Sequence, residues 1–191
     1  MEPQAIVAIL DANVLYPAPL RDFLLSLAFR GVFAPKWSSD IQEEWTRNLI
    51  KNRPDLTQEQ LNYTVKLMNT AFPDASVTDF HSSTNSFVLP DEGDRHVLAA
   101  AVHTKANFIV TFNLKDFPEQ PLETLFIKAI HPDDFIHNIL INNESICITA
   151  FKDMVGRLKN PPLQIEDVLE SLAKSQLIKT VASIGIIMKQ N

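Results

Sequence analysis

Four separated stretches of this sequence put acidic side chains where strand ends or helix starts would gather them. Asp11 closes the apolar run Ile6-Val7-Ala8-Ile9-Leu10 and is followed by Asn13. Glu44 lies early in a segment striped by Ile41, Trp45 and Leu49, with Glu43 an equal candidate by composition. Asp91 and Asp94 open the apolar segment Val97–Val102, at a spacing that shares one helix face. Asp116 follows Thr111-Phe112-Asn113, just past the apolar Phe108-Ile109-Val110. Carboxylates brought together repel, raise one another's pKa and lose hydration unless a cation neutralises them. An all-oxygen set of this kind suits Mg2+ or Mn2+ rather than zinc. Such an ion lowers the pKa of an attacking water and offsets charge on a phosphate, which is the usual apparatus of phosphodiester hydrolysis. Each acid also has a structural reading as a helix cap, a turn residue or a solvated face. Their joint placement carries the case.

Competing chemistries find little support. The single Cys147 lies in an apolar helical stretch and excludes a disulfide framework and zinc sites built from several cysteines. The five histidines are scattered, and no G-x-S-x-G pattern is present. Four glycines form no phosphate loop, which argues against a dinucleotide or P-loop nucleotide site. Asp11 has no D-x-D partner of the kind an aspartyl phosphatase needs.

The elements that must position these acids alternate. Ile6–Asp11 reads as a strand buried on both faces, as in a parallel sheet. Residues 19–29 form an apolar-striped helix closed by Gly31, and 32–35 suit a short second strand. Ser38 or Ser39 caps a helix that Pro54 ends, and Thr57-Gln58-Glu59-Gln60 is a capping box opening another, stopped by Pro73. Residues 74–89 read as a loop with one edge strand. Residues 91–104 form a helix, 108–111 a buried strand, 126–130 a third, and Pro132 opens a further helix. This order predicts an α/β fold, three-layer α/β/α with a central mainly parallel sheet, over residues 1–140. Residues 141–191 read instead as a small helical appendage, broken at Asn160-Pro161-Pro162 and at a joint near Gln176.

The chain has 191 residues, 46% hydrophobic and 21% charged, enough to bury a full core. Its start lacks the pattern of a secretory signal, and no apolar run is long enough for a membrane span, so a cytoplasmic location is expected. A formal charge of −6 argues against wrapping nucleic acid through bulk charge, though not against acting on it at one site.

These segments resemble the four blocks of a PIN domain: Leu10-Asp11-Ala12-Asn13-Val14-Leu15; Ile41-Gln42-Glu43-Glu44-Trp45; Asp91 to Ala101; and Val110-Thr111-Phe112-Asn113-Leu114-Lys115-Asp116-Phe117. The resemblance extends over about residues 5–140 and is nearest to the VapC-type toxin-like proteins of bacteria. The tail resembles the C-terminal extension of one subgroup. The resemblance implies an Mg2+- or Mn2+-dependent endoribonuclease, the toxin of a toxin–antitoxin pair. It implies Asp11, Glu44 and Asp94 as acidic metal-site and catalytic residues. Glu44 is preferred over Glu43 because the family's acid directly precedes a large apolar residue. The fourth acidic position falls in the 111–116 block, where Asn113 stands in the place many members fill with Asp and Asp116 is the nearest carboxylate. Asn13, Asp91 and Thr111 match polar companions of the site.

Arg95, Lys115 and Arg47 stand beside these acids and are candidates to bind the phosphates flanking a cut. Trp37 and Trp45 are candidates to stack on bases, with a core role favoured for Trp45. The implied partners are an RNA substrate, a cognate antitoxin covering the acidic cleft, and a second copy in a homodimer; no membrane is implied. Asn113 and the net acidity also admit a PIN-like RNA- or protein-binding module with weak or no catalysis.

Overall fold

The computed structural model describes residues 5–159 and 161–190. The opening residues 1–4, read above for a signal, and Asn160 of the Asn-Pro-Pro break lie outside them.

The chain divides into two compact units. The first runs to Tyr16 and resumes at Ala34–Ile130; the second joins Pro17–Phe33 to the residues from His131 onward. Packing therefore divides the chain differently from the 1–140 and 141–191 boundary read from composition.

In the first unit, β1 (Val7–Leu10) leads into the single turn α1 (Ala12–Leu15). The second strand, β2 (Ala34–Ser38), starts two residues later than expected. Gly31 turns the chain at φ +76, and Phe33 is buried edge-to-face against Phe135 at 5.1 Å. Ladder bonding begins only where the Ala34 N–H donates to the Ile6 carbonyl at 2.7 Å. Ser38 then caps α3 (Ser39–Asn52) by accepting from the Ile41 N–H, and the Thr57 capping box opens α4 (Gln58–Ala71). The edge strand in the polar stretch is the two-residue β3 (Ser76–Val77).

The helix expected from Asp91 begins instead as a 3-10 turn over Glu92–Asp94, and α5 spans Arg95–His103. The Asp91 carboxylate accepts from the Gly93 N–H at 2.8 Å, which tightens that turn. The strand β4 (Phe108–Val110) follows, then a 3-10 turn at Leu114–Asp116, the short α6 (Glu119–Glu123), and β5 (Lys128–Ile130).

The five strands pair in the order β3-β2-β1-β4-β5, all parallel. The fold is α/β of the three-layer α/β/α type. Ala8, Ile9, Leu10, Ile109 and Val110 are fully buried in the central strands, as their continuous apolar runs require. Trp45 is core, as expected. Trp37 is also fully buried, its indole N–H donating to Asn69 at 2.8 Å, so it is unavailable for stacking on a base.

The second unit is helical: α2 (Ala18–Phe29), α7 (Pro132–Asn142), α8 (Glu144–Arg157), α9 (Ile165–Lys174) and α10 (Ile178–Gln190). Phe23 meets Phe151 edge-to-face at 5.9 Å, and Arg157 donates to Ser26 at 2.6 Å. The buried Asp133 accepts from the N–H groups of Lys179 and Thr180, which fixes the start of α10. The joint before α10 is Gln176, at φ +65.

Candidate active site at the sheet switch point

Strand order reverses between β1 and β4: from β1 the chain moves outward to β2 and β3, then returns to the other side of β1. In parallel α/β sheets the crevice at the carboxyl ends of the strands beside such a reversal is the usual ligand site. Asp11 and Thr111 are the residues immediately beyond these two strands. Both remain in register, since the Asp11 N–H donates to Val110 O at 3.1 Å and the Thr111 N–H to Ile130 O at 3.0 Å.

Asp11 is held from three directions. Its carboxylate accepts from the Ala12 N–H at 2.7 Å, from the Asn13 amide at 2.6 Å and from the Thr111 hydroxyl at 2.6 Å. Asn13 joins both strand ends: its amide nitrogen also donates to Thr111 Oγ1 at 3.0 Å, and its carbonyl oxygen accepts from the Phe112 N–H at 3.1 Å. Thr111 Oγ1 accepts in addition from the Asn113 N–H at 3.0 Å. Burial pushes the Asp11 carboxyl above its ordinary range, and the charge of Glu44 adds to this. The Thr111 and Ala12 bonds and the charge of His96 pull the other way.

Asp94 sits where α5 begins, half-buried, with its carboxyl pushed up to about 7. Burial is the largest cause, followed by the negative charges of Asp11, Asp91, Asp116 and Glu44. One carboxylate thus feels all the other acids singled out in the sequence, although they come from separate segments. Glu44 is part of this field, whereas its neighbour Glu43 is exposed. Asp116 contributes its charge, while Asn113 is exposed and enters the network through its backbone N–H. Asp91 is exposed and tied to the 3-10 turn.

The basic candidates differ in their freedom. Arg95 is largely buried and donates to Glu92 at 2.7 Å, while Arg47 and Lys115 are exposed. One side chain had no functional signal in the sequence beyond its closeness to Asp94. His96 Nε2 lies 3.7 Å from Glu44 Oε2, a contact between α3 and α5 that no local spacing reveals. Burial opposes a charge on this imidazole, but the contact with Glu44 and the charges of Asp40, Glu44 and Asp11 outweigh it and raise its pKa.

Cys147 is buried in the helical unit, which pushes its thiol up to about 11 and leaves it a poor nucleophile. Among the described residues, no group of three or more His, Cys, Asp or Glu side chains stands in an arrangement that could hold a metal ion. The donor set nevertheless fits a hard cation: acidic oxygens, mutual repulsion concentrated on Asp94, and no competing thiolate.

An all-parallel sheet with an acidic rim at its switch point defines an α/β domain that gathers carboxylates at the ends of its central strands. The family model described as PIN domain matches residues 7–115, more than half of the chain. The model described as VapC50 C-terminal domain matches residues 132–185. A curated relative from Mycobacterium tuberculosis, "Putative ribonuclease VapC50", is 37% identical over 109 residues, covering 56% of this chain and 64% of the relative. The match thus spans a little under two thirds of that relative's length. No solved structure matches the chain. The chain belongs to the PIN domain family, in its VapC-type branch with a C-terminal extension.

Proposed function

We propose that this protein is an Mg2+- or Mn2+-dependent endoribonuclease, the toxin of a type II toxin–antitoxin pair. The observation that carries the proposal is the acidic field on Asp94, drawn from four other carboxylates at the switch point of the sheet. Asp11, Glu44, Asp94 and Asp116 hold the ion in this reading, with Asn113 the alternative to Asp116. When bound, the ion activates a water and offsets the charge that develops on the phosphate and leaving oxygen. The water's oxygen would bond to phosphorus and give up a proton while the bond to the ribose 3′ oxygen breaks and that oxygen takes up a proton, leaving a 5′-phosphate and a 3′-hydroxyl.

The chain's own residues prepare this site. Thr111 and Asn13 fix the Asp11 carboxylate so that ion binding needs no reorganisation there. Arg95, Lys115 and Arg47 bind flanking phosphates, Arg95 after release from Glu92. In this reading residues 1–140 are the nuclease domain and 141–191 its helical extension, with α2 and α7 packed in the helical unit. The partners are RNA, an antitoxin seated over the acidic rim and a second copy of the chain. The location is cytoplasmic; among the described residues no helix is long and apolar enough to cross a membrane.

The test is Mg2+-dependent cleavage of RNA by the purified chain, with end-group analysis of the products. A binding module with weak or no catalysis is the reading that Asn113 favours. It predicts no carboxylate-dependent Mn2+ binding in a calorimetric titration.

A further inference from the structure

Glu44 meets a side chain of a neighbouring helix, α5, at the rim. The Glu44 side chain is 35% exposed, and His96 lies at ion-pairing distance from it. Asp11, by contrast, is fixed by three hydrogen bonds. The His96 ring is itself 17% exposed, and its Nδ1 is buried with no hydrogen-bond partner. An orphaned polar atom in a dry place opposes folding, and a phenylalanine or leucine at this position avoids it. What the imidazole provides in return is Nε2, at 3.7 Å from Glu44 Oε2. Behind it, one helical turn before Glu44, Asp40 also has a buried oxygen without a hydrogen bond, and His81 Nε2 lies 3.7 Å from the same atom. The histidines therefore face the acids of one side of α3.

We propose that His96 is a positioning residue for the reaction, engaging one oxygen of Glu44 through Nε2 and leaving the other free for an incoming divalent cation. This inference rests on the endoribonuclease reading and on Glu44 being a ligand. His96 touches neither RNA nor ion; it restricts the rotamers of a long side chain so that ion binding does not have to.

The experiment is calorimetric titration of the full chain with MnCl2, for the unaltered protein and for Asp94→Asn, His96→Phe, His96→Gln, Glu44→Gln and the Glu44→Gln/His96→Phe double variant. Thermal melting without metal checks that each is folded. His96→Phe is expected to weaken Mn2+ binding by roughly tenfold, the low end for loss of a group that orients a ligand. His96→Gln keeps an amide donor and is expected to retain most of the affinity. In the Glu44→Gln background, His96→Phe is expected to have no further effect. Unchanged binding by His96→Phe, equal losses in Phe and Gln variants, or a full additional loss in the double variant would each overturn the inference. If His96→Phe does not fold, the His96→Gln comparison and His96→Leu decide in the same way. Absence of Asp94-dependent Mn2+ binding in the unaltered chain would remove the nuclease reading and this inference with it. Asp94-dependent binding with an indifferent His96 removes the inference alone.

Discussion

Thr111 Oγ1 donates to Asp11 Oδ2 at 2.6 Å, joining two residues 100 positions apart in sequence. The hydroxyl spends its proton on the carboxylate and accepts from Asn13 and from the Asn113 N–H. It is the centre of a network that locks the first acid to the end of the neighbouring strand. Thr111→Val keeps the shape but takes one hydrogen bond from each of the Asp11 carboxylate, the Asn13 amide and the Asn113 N–H. It is expected to lower stability by about 1–3 kcal/mol, the usual range for orphaning buried polar groups. Thr111→Ser is expected to recover most of that loss. Chemical denaturation of both variants checks this, and equal stability of Thr111→Val and the parent protein contradicts it.

Acidity of Asp94 gives a second expectation. Its carboxyl ordinarily titrates near 3.8 and is raised to about 7 in the folded chain, so between those values the folded state holds a proton that the unfolded state has released. Stability of the metal-free protein therefore falls as pH rises from about 4 to 7, and it is lowest from this cause above 7. Asp11, also raised, acts in the same direction. Asp94→Asn removes the repulsion and is expected to stabilise the metal-free protein at pH 8 by about 1 kcal/mol, after allowance for solvent screening of a half-exposed group. Melting curves from pH 5 to pH 8 test the sign: a melting temperature that rises across this interval in the parent and not in Asp94→Asn contradicts it.

The fourth acidic position can be resolved by substitution. Asp116 acts on Asp94 through its charge, whereas Asn113 uses its backbone N–H toward Thr111. Asp116→Asn is expected to weaken Mn2+ binding at least tenfold, in line with loss of a charged ligand or its close support. Asn113→Ala is expected to change it little. The reverse ranking in calorimetry would transfer the role to Asn113.

Cys147 supplies a control on chemistry. Its thiol is buried and raised to about 11. A thiol-reactive reagent at pH 7.5 is expected to label it slowly in the native protein and promptly in denaturant. Rapid native labelling contradicts the burial of this thiol, and loss of RNA cleavage in a labelled chain that stays folded contradicts the assignment of all catalysis to the carboxylates.

Much of this site is legible in the chain because its signals are local. A buried parallel strand reads as the apolar run to Leu10, and the residue after it lies at a strand end by topology. Ser38, Thr57 and the Gln176 joint announce themselves through capping and turn chemistry over three or four residues. The features that stay hidden depend on distance in sequence. The His96 contact with Glu44 joins two helices, and Asn13 finds Phe112 across the sheet. Trp37 becomes core only because Asn69 and Phe72 cover it. The grouping of α2 with the C-terminal helices depends on contacts such as Phe23 with Phe151, which no composition change near residue 140 reveals. The 3-10 turn before α5 follows from one side-chain bond, Asp91 to the Gly93 N–H, that competes with helical hydrogen bonding.

The most direct measurement is RNA cleavage by purified Asp11→Asn and Asp94→Asn chains in Mg2+, beside the parent protein and with folding checked by circular dichroism. The expected result is Mg2+-dependent cleavage by the parent, leaving 5′-phosphate ends, and its loss in both folded variants. Cleavage at the parent rate by either variant would contradict a metal-dependent nuclease centred on these carboxylates.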